Sequence, residues 1–332
     1  MALSELPEPR APRANGKSSP ARDNFVDYAR FGLALSVCLF HTNAKFHNTW
    51  SSTYGLPWAV PAFLSISGFY VLRSYEQSGT WVEFIKKRIL RIVPAFLVSL
   101  LIVGLAGGFP MVWHVFVFYA TVGTVRLGPF VNAPVWSLGA EEIAYVLLAV
   151  LFTVGAYRKK WPIWIAFIAS CIFVQVLPFL TTSDPILLIF PIAPAFFAGS
   201  LVYIYRDRLK GSDWWGFALI AIALALPAFI ETPRPTHPIG FISYAPGFLL
   251  GVGILTVRSF RLPKIPDFSY GLYVYHFALL RLLQDASEQV YFLSLAVLLV
   301  ASWYLVEKPA LSLKNRRRRP PAVPAVSQPV DS

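Results

Sequence analysis

Apolar runs of about 20 residues alternate with short polar stretches along nearly the whole chain. A helix needs about 20 apolar residues to cross the hydrocarbon core of a bilayer. Ten segments meet or approach that length: roughly 24–43, 57–74, 92–108, 136–157, 161–180, 185–205, 213–230, 239–257, 267–284 and 289–307. The pattern predicts an all-α polytopic membrane protein of about ten transmembrane helices. Two further segments interrupt the alternation. GTWVEFIKKRILRIVP, residues 79–94, is amphipathic and basic and predicts a helix lying in the interface. MVWHVFVFYATVG, residues 111–123, is apolar but too short to cross. It predicts a re-entrant piece or one lying flat on the outer surface.

The ends of the chain read differently. Residues 1–23 are polar and Pro-rich and predict a disordered cytoplasmic leader. The first apolar run begins near Phe25, so no cleavable signal peptide is expected. Residues 24–309 form the expected transmembrane domain. Residues 310–332, with four consecutive arginines and several prolines, predict a disordered cytoplasmic tail.

Composition agrees with the pattern. Of 332 residues 56% are hydrophobic and only 14% charged, against about 25% charged in soluble domains. Mean hydropathy is +0.57. The net charge of +12 raises the question of nucleic acid. Its distribution removes it. Cytoplasmic loops carry an excess of Lys and Arg. With the N-terminus placed inside, 25 of the 29 basic residues fall on inner segments. Only Lys45, Arg126, Arg234 and Arg281 fall outside. This alternation predicts an even number of spans with both termini cytoplasmic. Cys38 and Cys171 both sit in apolar runs and suggest neither a disulfide framework nor a metal site.

Charged or titratable side chains within spans are costly, at roughly 2.5–3.5 kcal/mol each on insertion scales, and usually face the bundle interior. The first span carries two, Arg30 and His41. Eleven residues at 100° each come within about 20° of three full turns, so both lie on one face, about 16 Å apart along the axis. Arg30 sits near the inner end and His41 near the outer end. The alternatives are a snorkelling arginine and a histidine bonded at the outer interface.

The fourth span opens with PVWSLGAEEIAY, residues 134–145, which places Glu141 at the expected depth of His41. A carboxylate facing an imidazole can hold its tautomer; a helix-start acid serving the N-terminal dipole is the alternative. In the second span Ser65, Ser67 and Gly68 allow close approach of a ligand or of another helix. At the inner side, Arg73, Arg88 and Arg91 join Lys86 and Lys87 in a cationic patch. Arginine forks suit phosphate oxygens. FSYGLYVYHFALL, residues 268–280, places Tyr270, Tyr273 and Tyr275 before His276 past mid-membrane. His276 reads equally well as a cavity group or a satisfied core histidine. Glu307, beside Lys308 and Pro309, reads most simply as an interfacial ion pair. His47, His114 and His237 fall in outer loops.

In this order these motifs resemble the membrane-bound acyltransferase 3 family, bacterial O-acyltransferases of surface glycans, nodulation factors and some antibiotics. The shared features are Arg30-x10-His41, FLSISGFYV followed by Arg88-x-x-Arg91, WSLGAEEIAY, FSYGLYVYH and the closing Glu307-Lys308-Pro309. The WSLGAEEIAY match places the family glutamate at Glu141 and its tyrosine at Tyr145. The late match falls on Ser269, Tyr270, Tyr273 and His276. The resemblance implies ten transmembrane helices, an acyl-CoA donor taken from the cytoplasm and a sugar hydroxyl as acceptor at or beyond the outer side. It implies catalytic roles for His41, Glu141 and Arg30. Arg73, Arg88, Arg91 and Ser67 would bind the coenzyme A donor. Trp136, Tyr145, Tyr273 and His276 would line the acceptor site. Nothing like the appended hydrolase domain of longer family members is expected after the tenth span.

The expected function is therefore an O-acyltransferase of the bacterial inner membrane that moves an acyl group, acetyl by default, onto a sugar-containing acceptor. Donor, acceptor and lipid bilayer are the expected partners, with glycan-assembly proteins beside them and no nucleic acid. No permanently bound cofactor or metal is expected. His41 serves either as general base or as transient acyl carrier. A transporter or flippase for a glycan intermediate is the rival class, since it too carries buried charges and broken helices. A purely structural subunit is a third.

Overall fold

The computed structural model describes residues 24–47, 59–78, 80–128, 132–153, 160–181, 192–209, 213–229, 241–257 and 262–313. The expected leader, the tail beyond residue 313, His237 and the loop cations Arg158, Lys159, Lys210, Arg234, Arg258 and Arg261 lie outside the described residues. Every described element is helical. In chain order these are α1 (Asn24–Phe46), α2 (Ala59–Glu76), α3 (Trp81–Ala120), a 3-10 turn at Ala133–Val135, α4 (Trp136–Thr153), α5 (Trp161–Leu180), α6 (Ile192–Ile204), α7 (Asp213–Phe229), α8 (Phe241–Thr256), α9 (Ser269–Leu282), α10 (Glu288–Ser302), a π turn at Trp303–Glu307, and α11 (Lys308–Ser312). Each of the ten apolar segments contains a helix within its described residues. Among the described residues, four stretches are long and apolar enough to cross a membrane: Trp81–Ala120, Ala133–Leu151, Trp161–Leu180 and Glu288–Ser312.

The basic segment at 79–94 is not a separate interfacial helix. It forms the first turns of α3 and continues unbroken into the third apolar run. Thr80 starts it: its side chain accepts from the Glu83 amide, in a Thr-x-x-Glu arrangement. The break comes later, at Gly107 and Gly108, where Gly108 adopts φ +72°, a conformation that a residue with Cβ avoids. The chain there doubles back. The rings of Phe96 and Tyr119 lie 4.7 Å apart, whereas a straight helix would separate them by about 34 Å. The apolar piece at 111–123 therefore returns along the helix it came from rather than lying flat on the surface.

α9 is the centre of the molecule. Nearly every residue from Ser269 to Leu280 is buried, so its hydroxyls and imidazole find hydrogen-bond partners inside the bundle. α1 runs parallel to the chain leading into and through α9. Asn24 bonds the Leu262 carbonyl at 2.5 Å, Arg30 meets Asp267 and His41 meets His276. On the other side α2 packs against α6 and α8 through small residues. A Cβ on Gly199 would collide with the Ser65 carbonyl, and one on Gly251 with Ser65 and Ala62. Close backbone approach of this kind is how helices associate where no water drives them together. α5 and α10 turn apolar side chains outward, among them Ile168, Ile172, Leu293 and Val297.

Candidate active site

The residues that the sequence singles out gather into two clusters joined by a polar seam, called outer and inner after the orientation that the sequence predicts. At the outer end, His41 Nδ1 of α1 lies 3.0 Å from His276 Nε2 of α9. The His276 Nδ1 is in turn 3.0 Å from the Leu272 carbonyl one turn below. His276 is fully buried, whereas His41 is partly exposed. Phe277 packs edge-on against His41 with centroids 5.0 Å apart. Tyr291 of α10 braces the site from behind: its hydroxyl donates to the His276 carbonyl at 3.0 Å.

Glu141 is not the partner of His41. Its Oε1 accepts from Ser67 of α2 and from Tyr145 one turn along α4. It is also deeper than expected. The start of α4 does not stand at the outer surface but beside the middle of α9, where Ser137 and Tyr273 share a hydrogen bond of 2.7 Å. Glu141 lies one turn below Ser137, and His276 nearly one turn above Tyr273. Seven residues of helix rise, roughly 10 Å, separate the carboxylate from the histidine pair. Just before α4, the Asn132 side-chain amide donates to the Val274 carbonyl at 3.2 Å, so the chain entering α4 is also buried within the bundle. Glu142 points elsewhere, to the Tyr119 hydroxyl.

Ser65, Ser67 and Gly68 divide their work. Ser65 and Gly68 face α6 and α8 as packing surface, whereas Ser67 faces Glu141. Of the residues implied to line the acceptor site, Tyr145 and Tyr273 point into the seam. Trp136 instead packs with Leu64, Val122, Ala140 and Ala195.

The inner cluster centres on a residue that the sequence reading missed. Asp267, buried just before α9, accepts from Arg30 at 3.0 Å and from Arg91 at 2.6 Å through one oxygen. Its other oxygen accepts from Ser269 at 2.5 Å. Arg30 is thus held by a carboxylate. The signal was present as the one acid in KIPDFSY, immediately before the Ser269–Tyr270 match.

The expected arginine patch is split. Arg91 belongs to the Asp267 cluster. Lys87 is paired with Glu83 at 2.7 Å. Arg73 stands over the Tyr70 ring. Arg88 lies beneath the seam, with its guanidinium 5.5 Å from the Tyr145 ring centroid and 3.4 Å from the Ser74 hydroxyl. Its Nε has no hydrogen-bond partner among the described residues. Glu307 does not pair with Lys308. It is buried, within 3.5 Å of Tyr275 and 3.4 Å of Ser302, while Lys308 lies over the Tyr304 ring.

From the Arg88 end to the His41 end the seam reads Arg88, Tyr145, Glu141, Ser67, then Ser137 and Tyr273, then His276 and His41. Among known proteins, the acyltransferase domain family has a model that matches residues 23–307. The chain belongs to this family, and its class is that of a membrane acyltransferase. An alignment of 366 positions covers 91% of this chain and 96% of nodulation protein 10 of Rhizobium leguminosarum bv. viciae, with 26% identity. No solved structure matches the chain.

Proposed function

We propose that the protein is a ten-span O-acyltransferase of the bacterial inner membrane, with both termini cytoplasmic. It moves an acyl group, acetyl by default, from cytoplasmic acyl-CoA to a hydroxyl of a sugar-containing acceptor. The observation that carries this reading is the His41–His276 contact of 3.0 Å at the outer end of the seam. It supplies a proton-transfer group where an acceptor hydroxyl would arrive, and general base catalysis is worth about 10²–10⁴ in rate. The parallel course of α1 and α9 supports the span count, since the first and ninth spans of an alternating chain cross in the same sense.

The donor enters from the inner side. Arg88, with a donor to spare, holds a phosphate of coenzyme A, and Arg73 lies within the same inner region. The pantetheine arm follows Tyr145, Ser67 and Tyr273 upward, and the thioester comes to rest near His41. Glu141 holds the walls of this path through Ser67 and Tyr145. Arg30 and Arg91 shape the entrance through Asp267. A resident metal or cofactor has no part in this scheme.

The test is mass spectrometry of surface glycans from cells carrying the wild type, His41→Ala or no protein. An acyl mass present only with the wild type supports the reading and names the acyl group. Acylation by His41→Ala equal to wild type would remove His41 from the chemistry. A mass unchanged in all three strains would reject the glycan acceptor and return a transporter to consideration.

A further inference from the structure

The two histidines meet in a way that settles which nitrogen of His41 is free. Their ring centroids are 5.1 Å apart with planes 29° from parallel, while the facing nitrogens are only 3.0 Å apart. The rings therefore meet nitrogen to nitrogen rather than face to face. The Leu272 carbonyl can only accept, so the His276 Nδ1 beside it at 3.0 Å must carry a hydrogen. His276 is wholly buried. Among the described residues its polar neighbours are His41, the backbone carbonyls of Leu272 and Tyr273 and, through its own carbonyl, Tyr291. None is a carboxylate, and an unpaired buried cation is costly. A neutral His276 with its hydrogen on Nδ1 presents a bare Nε2 to His41. His41 must then donate from Nδ1, which leaves its own Nε2 as the lone pair. Phe40 and Phe277 flank His41 edge-on. The Val37 carbonyl one turn back on α1 is a second acceptor beside the His41 ring, and removing the His276 acceptor separates its effect from that of His276.

We infer that His276 is a positioning residue that holds His41 in its Nδ1–H tautomer, making His41 Nε2 the atom that takes the proton of the acceptor hydroxyl. Its role in catalysis rests on the acyl transfer proposed above, whereas the tautomer itself does not. In the reaction, the hydroxyl oxygen forms the new bond to the acyl carbon and its proton passes to His41 Nε2. The Nδ1 proton of His41 can move to His276 Nε2 at the same time, spreading the positive charge over two rings. The acyl–sulfur bond breaks with its electron pair going to sulfur. The proton returns through His41 to that thiolate, leaving an O-acyl ester and free coenzyme A. A backbone carbonyl, which no substitution at position 272 removes, here takes the place that a carboxylate fills in hydrolase triads.

The experiment is nitrogen NMR of the full chain labelled with 15N-histidine, in detergent. The two ring nitrogens of His41 are assigned by their loss in His41→Asn. In the wild type His41 shows a protonated Nδ1 and a bare Nε2. His276→Gln keeps an acceptor oxygen near the old Nε2 and preserves that pattern. His276→Leu fills the space without an acceptor, and the His41 tautomer reverts to a mixture. Should the Leu variant fail to fold, His276→Asn, too short to reach His41, takes its place. Turnover of acyl-CoA follows the same order. It falls roughly 10²–10⁴-fold in the Leu or Asn variant and is substantially restored by Gln, with KM for the donor unchanged. A wild-type His41 protonated on Nε2, or a tautomer indifferent to His276→Leu, overturns the inference. If the tautomer shifts as expected but His41→Ala still acylates, the positioning stands and the assignment of the base to His41 Nε2 falls; if no strain acylates, the positioning stands and the proposed function falls.

Discussion

Arg91 Nη2 lies 2.6 Å from Asp267 Oδ2. The Arg30 guanidinium reaches the same oxygen at 3.0 Å. One carboxylate thus ties α1 and α3 to the chain entering α9, at the inner end of the bundle. Both arginines belong to motifs whose sequence suggests substrate contact, yet both are already bonded to one carboxylate within the protein.

Asp267→Asn should therefore act first on stability. It leaves two cations facing a neutral amide, and breaking a buried ion pair from one side costs about 3–5 kcal/mol. The expected result is a clear drop in thermal midpoint for the purified protein in detergent, larger than that for Arg30→Lys. An unchanged midpoint would show that the three-residue cluster does not hold the inner end together.

Arg88 and Arg91 should separate in kinetics although they stand only three residues apart. Arg88 has an unpartnered Nε beneath the seam, so Arg88→Ala should raise KM for acyl-CoA roughly tenfold or more, since a hydrogen bond to a charged group contributes about 1.5–3 kcal/mol. Its thermal midpoint should move little. Arg91→Ala should do the reverse. Steady-state kinetics with the donor varied, beside melting curves of both variants, decides the matter. Equal behaviour of the two would reject the division.

Glu141→Ala leaves the Ser67 and Tyr145 hydroxyls without their shared acceptor. An orphaned buried polar group costs about 1–3 kcal/mol, so both stability and acyl transfer should fall. Glu141→Gln retains an acceptor oxygen and should recover most of the stability. Melting curves for the pair of variants measure this. If Gln proves as unstable as Ala, the carboxylate charge rather than the hydrogen bonding is what the site requires.

Gly199→Val tests the packing of α2 on α6. Its side chain has no room beside the Ser65 carbonyl, and overpacking of this kind costs about 1–3 kcal/mol, occasionally more. Folded yield and thermal midpoint should both decline. A comparable change at Gly32, where a Cβ would meet nothing within 4 Å, should be tolerated. Equal tolerance at the two positions would mean that the helices separate readily there.

The helices themselves were determined by sequence. Apolar runs cannot leave backbone groups unpaired in a bilayer, so each run forms a helix, and the ten runs reappear as ten helices among the described residues. The face shared by Arg30 and His41 also followed from local geometry, because helical periodicity fixes it without reference to any other segment. So did the neighbourhood of Tyr273 and His276 on one helix.

Partnership was decided by the tertiary structure. Glu141 seemed a natural companion for His41 because both were assigned one depth, but that assignment assumed that α4 starts at the surface. The fold-back at Gly107–Gly108 and the buried entry at Asn132 set α4 lower, and Glu141 went with it. Asp267 escaped notice because a single loop acid has no periodicity to mark it; only the arrival of two arginines from distant helices gives it meaning. Glu307 looked paired with its neighbour Lys308 because adjacency in sequence is visible, whereas the pocket formed by Tyr275 and Ser302 is not. Local pattern fixes which face of a helix is polar. Which helix that face meets, and at what height, depends on loop paths and small-residue contacts between segments far apart in the chain, and no periodicity within a single segment encodes that.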